Sequence, residues 1–167
     1  MFAVLLAGQS EARCLNRANT SLPESTPTSH FIVHPDGTLT APRTGLMWKR
    51  CLEGQTLSGE LCSGTPTDYT WADGLSAAQS ASFAGHDDWR LPNAKELFSI
   101  FEDRCAAPAL NADLFPMSGI FGIWTATPTA IYDNNFFAGI WFISFNGFMA
   151  TNSPNQEIQV LLVRDVP

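Results

Sequence analysis

Four cysteines, Cys14, Cys51, Cys62 and Cys105, constrain this chain of 167 residues more than any other feature. Their number is even, no two form a C-x-x-C pair, and none stands near a histidine at zinc-site spacing. Disulfides fit that pattern, and disulfides persist where the environment is oxidising. Four cysteines allow three connectivities, among which sequence alone does not choose. The stretch from Cys51 to Cys62 carries Glu53-Gly54-Gln55 and Ser58-Gly59-Glu60, turn-rich segments that let it fold back on itself. Cys51–Cys62 is therefore the preferred bridge, and Cys14–Cys105 follows by elimination. Four buried thiols in a cytosolic protein are the alternative.

The N-terminus bears on the same question. Phe2 to Gly8 is a short apolar run, followed by Ser10 and Ala12, small residues at the −3 and −1 positions a signal peptidase prefers. Residues 1–12 read as the remnant of a secretory signal whose positive start lies further upstream, since the first basic residue is Arg13. A small buried N-terminal strand is the other reading. Either way the expected location of the mature domain is periplasmic, secreted or at the cell surface.

Composition narrows the partners. Apolar residues make up 45% and charged residues only 15%, with 12 Phe and 5 Trp, so the chain folds, and its length suits one core. Net charge is −7, which leaves little positive field for phosphates; nucleic acid is an unfavourable partner. No apolar stretch approaches the ~20 residues of a spanning helix, so membrane insertion is not expected.

Residues 13–30 read as an arm and linker, because Ala18 to Ser29 is rich in Ser, Thr and Pro. A single domain then occupies residues 31–167. Phe31-Ile32-Val33-His34 and Thr38-Leu39-Thr40-Ala41 flank the turn Pro35-Asp36-Gly37 as a hairpin, and Leu46 to Lys49 forms a third strand. Thr70 and Asp73 open a first helix expected over about 71–83 and stopped by Gly85. Asn93 and Glu96 make a capping box for a second, expected over about 94–104, with Leu97, Ile100 and Phe101 as its apolar stripe. Strands follow at 123–127, 139–145, 148–151 and 159–163, with a hairpin turn at Asn146-Gly147. Two helices followed by an antiparallel sheet make an α+β chain.

Asp36-Gly37-Thr38, Thr44-Gly45-Leu46-Met47-Trp48, Asp87-Asp88-Trp89-Arg90-Leu91-Pro92-Asn93 and Lys95-Glu96-Leu97 stand in series, with Trp124-Thr125-Ala126-Thr127 further on. In this order the chain resembles the Lcl C-terminal domain family from about Phe31 to Arg164. The resemblance implies a C-type-lectin-like fold on exported bacterial proteins, often at the cell surface, with glycan binding proposed for the adhesin that gives the family its name. Basic residues are scattered, with Lys49 and Lys95 the only lysines, which disfavours a sulfated ligand while leaving a neutral glycan or a protein surface open.

Several motifs carry a functional and a structural reading. His86-Asp87-Asp88 has metal-ligand atoms, but beside Trp89 and Arg90 these carboxylates fit turn hydrogen bonds and an arginine pair better; no metal is expected. Asp88, Trp89, Arg90, Asn93 and Glu96 are taken as a structural motif, with Arg90 and Glu96 an ion pair. The Glu-Pro-Asn or Gln-Pro-Asp loop and the Trp-Asn-Asp triplet that hold calcium in lectins of this fold are missing, and Ser153-Pro154-Asn155 lacks the first carboxylate. The candidate ligand contacts are Tyr132, Asp133, Asn134 and Asn135, with Trp124 and Asn146 beside them, because amides next to aromatic faces suit hydroxyl-rich ligands. A turn whose aromatics return to the core is the competing reading.

The strand Gly139 to Phe145 is apolar on both faces, so Ile140 and Phe142 require cover from this chain or from a second copy. Three histidines at scattered positions suggest no catalytic set, and no cysteine follows Cys105 to support the formylglycine-generating oxidases that share the fold. Carboxylate counts do not exclude a glycoside hydrolase. The expected function is a recognition module without cofactor or catalysis, binding a glycan or surface protein; the alternative is an assembly module that contacts copies of itself or other envelope proteins.

Overall fold

The computed structural model describes residues 12–130 and 138–166. The expected leader lies outside them except for Ala12. In chain order come β1 (Arg17–Ala18), β2 (Ile32–Val33), β3 (Thr38–Ala41), β4 (Leu46–Lys49), β5 (Thr56–Ser58), β6 (Leu61–Ser63) and β7 (Asp68–Tyr69). The helices α1 (Trp71–Ser80) and α2 (Ala94–Phe98) follow. The remaining strands are β8 (Cys105–Ala106), β9 (Gly122–Ala130), β10 (Ala138–Ser144), β11 (Met149–Asn152), β12 (Ile158–Gln159) and β13 (Val163–Asp165).

Local chemistry explains the first hairpin. Asp36 accepts hydrogen bonds from the Thr38 amide at 3.0 Å and hydroxyl at 2.7 Å, while Gly37 takes φ +87°, a value open to a residue without Cβ. Strand β3 then pairs with β2 and β4, and β13 closes the four-stranded sheet in the order β13-β4-β3-β2. A second sheet, β11-β10-β9-β12-β7, is antiparallel except where Gln159 of β12 runs parallel to Ile123 of β9. The ribbons β1-β8 and β5-β6 complete a chain of α+β type.

Two apolar clusters hold these sheets. One gathers Leu39, Trp48, Leu97, Ile100, Phe115, Ile123 and Ile143; the other gathers Trp89, Leu91, Trp124, Ile140 and Ile158, with Trp71, Leu75 and Phe142 against its edge. Ile123 and Trp124 face opposite clusters, as neighbouring strand residues must, so β9 and β10 lie between the two. The cover of Ile140 and Phe142 is thus intrachain. Ile140 is 3% exposed and Phe142 is partly buried against the second cluster.

Val160 to Val163 shows the same alternation across two sheets. Val160 and Leu162 enter the second cluster and Leu161 and Val163 the first, all fully buried. The single strand expected at 159–163 is two short ones, because the segment leaves one sheet at Gln159 and joins the other at Val163. Lys49 and Glu53 donate main-chain bonds to Leu162 and Val160 across the crossing.

Both helices end earlier than their patterns suggest. Helix α1 stops at Ser80 because Phe83 must be extended to exchange main-chain bonds with His86 around Ala84 and Gly85, both at positive φ. Helix α2 has only five residues. Beyond it Phe101 bridges Leu110, the Glu102 amide donates to Ala109, and Cys105 is extended in β8, so the predicted helical turns at 99–104 give way to long-range pairing.

The disulfides are Cys14–Cys105 and Cys51–Cys62. The first fastens the arm, which is tied more firmly than a linker would be: β1 pairs with β8, Thr26 is buried against Glu102, and Asn111 donates to the Thr26 carbonyl. Among the described residues no helix is long and apolar enough to cross a membrane.

Candidate functional site

The segment Asp88 to Glu96 joins α1 to α2 and is held by charge-assisted pairs. Arg90 makes a two-pronged bond to Glu96, at 2.8 and 3.0 Å, and a further pair with Asp165. The hydrogen bond to Glu96, opposed by burial, raises the Arg90 pKa. Arg164, itself buried, grips Asp88 at 2.6 and 3.0 Å, and this contact lowers the Asp88 pKa. Asn93 caps α2 through the Glu96 amide while Glu96 accepts from the Asn93 amide. Trp89 is 3% exposed and donates its indole N–H to the Phe83 carbonyl. Asp88, Arg90, Asn93 and Glu96 are spent on one another and on the last strand, and Trp89 on the second apolar cluster, so their chemistry is that of a clasp.

Of the expected ligand contacts, Trp124 and Asn146 fall among the described residues. Trp124 is fully buried, with its indole N–H donating to the Tyr69 carbonyl, and leaves the candidate set as a core residue. Tyr132, Asp133, Asn134 and Asn135 lie outside the described residues. Asn146 is exposed in the turn beyond Ser144, the end of β10 away from Ala138.

Around Asn146 the protein leaves large apolar side chains in water. Phe148 is 71% exposed and Phe121 63%, while Phe145 and Met149 are partly open. The backbone fixes them. The Phe145 amide donates to Phe121, Ser144 to Phe148, and Gly147 to Ser144, and Gly147 at φ +82° sits against Phe101 and Ala109. Phe145 also walls an open groove of about 390 Å³ with Leu15, Pro108, Met117 and Ile120. The exposure of Phe121 and Phe148 was missed in the sequence; the signal for Phe148 was the Asn146-Gly147 turn, which puts its flanking residues at a hairpin tip.

Among the described residues no group of three or more His, Cys, Asp and Glu side chains is arranged to hold a metal ion. Other basic groups also serve the fold. Arg50 is buried and donates to the carbonyls of Asp113 and Leu114, and burial lowers its pKa.

The signature residues that form the clasp also place the chain among known proteins. Residues 37–164 match the Lcl C-terminal domain, and the chain belongs to that family. No curated protein and no solved structure matches it. The two disulfides suggest an oxidising, extracytoplasmic environment.

Proposed function

We propose that this domain is a non-catalytic recognition module of an exported protein, on a C-type-lectin-like scaffold, which holds a neutral glycan at the tip of the β10–β11 hairpin. The observation that carries this reading is the exposure of Phe121 and Phe148, whose carbonyls accept from Phe145 and Ser144 at the hairpin tip that carries Asn146. Aromatic rings stack on the C–H faces of sugars, and an exposed amide both donates to and accepts from hydroxyls. Because the main chain of the tip is hydrogen-bonded, little ordering entropy is lost on binding. The ridge carries no basic side chain, which favours an uncharged ligand. Tyr132, Asp133, Asn134 and Asn135 are a second contact that the same experiment tests.

A glycan array with the native chain, run beside light scattering at several concentrations, tests the proposal. The expected result is a monomer with saturable hits on neutral sugars, weakened about tenfold or more in an F121A/F148A variant. A concentration-dependent oligomer without sugar hits would establish the assembly reading instead. Turnover of a glycan that dies on replacing one carboxylate would make the protein an enzyme.

A further inference from the structure

A second pocket, sharing no residue with the aromatic ridge, lies where the arm meets the β3–β4 turn and the end of α2. It is an open cavity of about 370 Å³ lined by Ser25, His30, Phe31, Arg43, Thr44 and Ser99, with no acidic side chain among them. Arg13, Lys49, Arg90, Arg104 and Arg164 each pair with a carboxylate, whereas Arg43, like Arg17, Arg50 and Lys95, has none within 4.0 Å among the described residues, and of these four it is the one that lines this pocket. Its side-chain partner among the described residues is the imidazole of His30, with Arg43 Nη1 donating to Nδ1 at 3.2 Å.

That contact assigns the ring's proton. With Nδ1 accepting, a neutral His30 carries its hydrogen on Nε2, so the pocket wall presents the remaining guanidinium N–H groups and an imidazole N–H. The hydroxyls are oriented the other way. Ser25 donates to the Phe101 carbonyl, Thr44 to Ala41 and Ser99 to Glu96, so each directs its proton to the main chain; Ser25 also accepts from the Asp103 amide at 2.8 Å, which leaves it one lone pair. Of the carboxylates near the arm, Glu24 pairs with Arg104, and Glu102 is fully buried and already accepts from Ser25, Thr26 and Arg104 main-chain donors. Glu96, on α2, is engaged by Arg90.

We infer that this pocket binds a small hydroxylated carboxylate: the anionic end is held by Arg43 and His30, and the hydroxyls donate to Ser25, Thr44 and Ser99. The two halves of the ligand answer the two halves of the wall. A guanidinium and a carboxylate make paired, charge-assisted bonds, and the hydroxyl oxygens, whose protons point to main-chain carbonyls, accept from ligand hydroxyls in place of water.

The test is titration of the full chain with sodium gluconate, sodium acetate and sorbitol, followed by calorimetry and by amide NMR shifts. Gluconate is expected to saturate and to shift Ser25, Arg43, Thr44 and Ser99, with acetate about tenfold weaker and sorbitol showing no saturation. R43Q should weaken gluconate by about tenfold or more with an unchanged melting midpoint, and R43K should restore part of the loss. A gluconate affinity equal in R43Q and the native chain, or shifts confined to residues outside the pocket, would overturn the assignment. Acetate binding as tightly as gluconate would overturn its hydroxyl half. Neither result bears on the ridge, whose sugar hits are read with the F121A/F148A variant.

Discussion

Glu102 shows how much one side chain can organise. It is fully buried, yet its carboxylate accepts the Ser25 and Thr26 amides at 3.1 and 2.7 Å, the Thr26 hydroxyl at 2.8 Å and the Arg104 amide at 3.1 Å. Burial pushes its pKa up, but these hydrogen bonds, led by those of Thr26, outweigh burial and hold it below the ordinary value of 4.5. A depressed pKa stabilises the fold above the unfolded-state value, and that stability is lost as pH falls through the folded-state value. Urea midpoints should therefore be flat from pH 7 to about 5 and fall below about 4.5. E102Q should flatten part of that acid limb. E102A should cost about 3 kcal/mol at neutral pH, because it orphans several buried donors, and chemical denaturation reads the loss. The Arg164–Asp88 pair predicts an asymmetry of another kind. Arg164 is buried and Asp88 half exposed, so D88A, which leaves a buried guanidinium without its carboxylate, should lower the melting midpoint more than R164M, which keeps an apolar stem and leaves the carboxylate to water.

At the scale of elements, the features legible in sequence are those settled by near neighbours. The Pro35-Asp36-Gly37 turn, the Thr70 cap and the Asn93–Glu96 box each close within a few residues, and each is present. N93A should cost about 1 kcal/mol, measured by thermal melting, since it removes one half of that box. The features sequence missed are settled by distant partners. Nothing near Glu102 announces that it will bind residues 76 and 77 positions earlier, so the apolar stripe of α2 looks longer than the helix is. Trp124 reads as a ligand contact in sequence, and its burial depends on Tyr69, 55 positions away, whose carbonyl takes its N–H. Alternation along Val160 to Val163 indicates two buried faces but not that they belong to two sheets. Gly54 belongs with the local features: at φ +86°, and with a Cβ that would meet the Thr65 carbonyl oxygen at 2.7 Å, it should make G54A cost more than about 1 kcal/mol.

Over the whole molecule, two bridges of different span divide the labour. Cys14–Cys105 closes 91 residues and Cys51–Cys62 closes 11, so the chain-entropy model assigns them about 4 to 5 and about 3 kcal/mol. A C14A/C105A variant should lose stability accordingly, while hydrogen exchange should still protect Thr26, which Glu102 holds without the bridge. The clasp at Arg90 and Glu96 keeps the helical segment on the last strand, and the hairpin tip carries the exposed aromatics, so stability and recognition should separate by mutation. The direct measurement is a paired melt and sugar titration of R90M and F148S against the native chain, using the strongest hit of the array. The account requires R90M to lower the melting midpoint while the folded fraction binds unchanged, and F148S to keep the midpoint while losing binding about tenfold or more. Binding retained by F148S and lost by R90M in its folded state would contradict it.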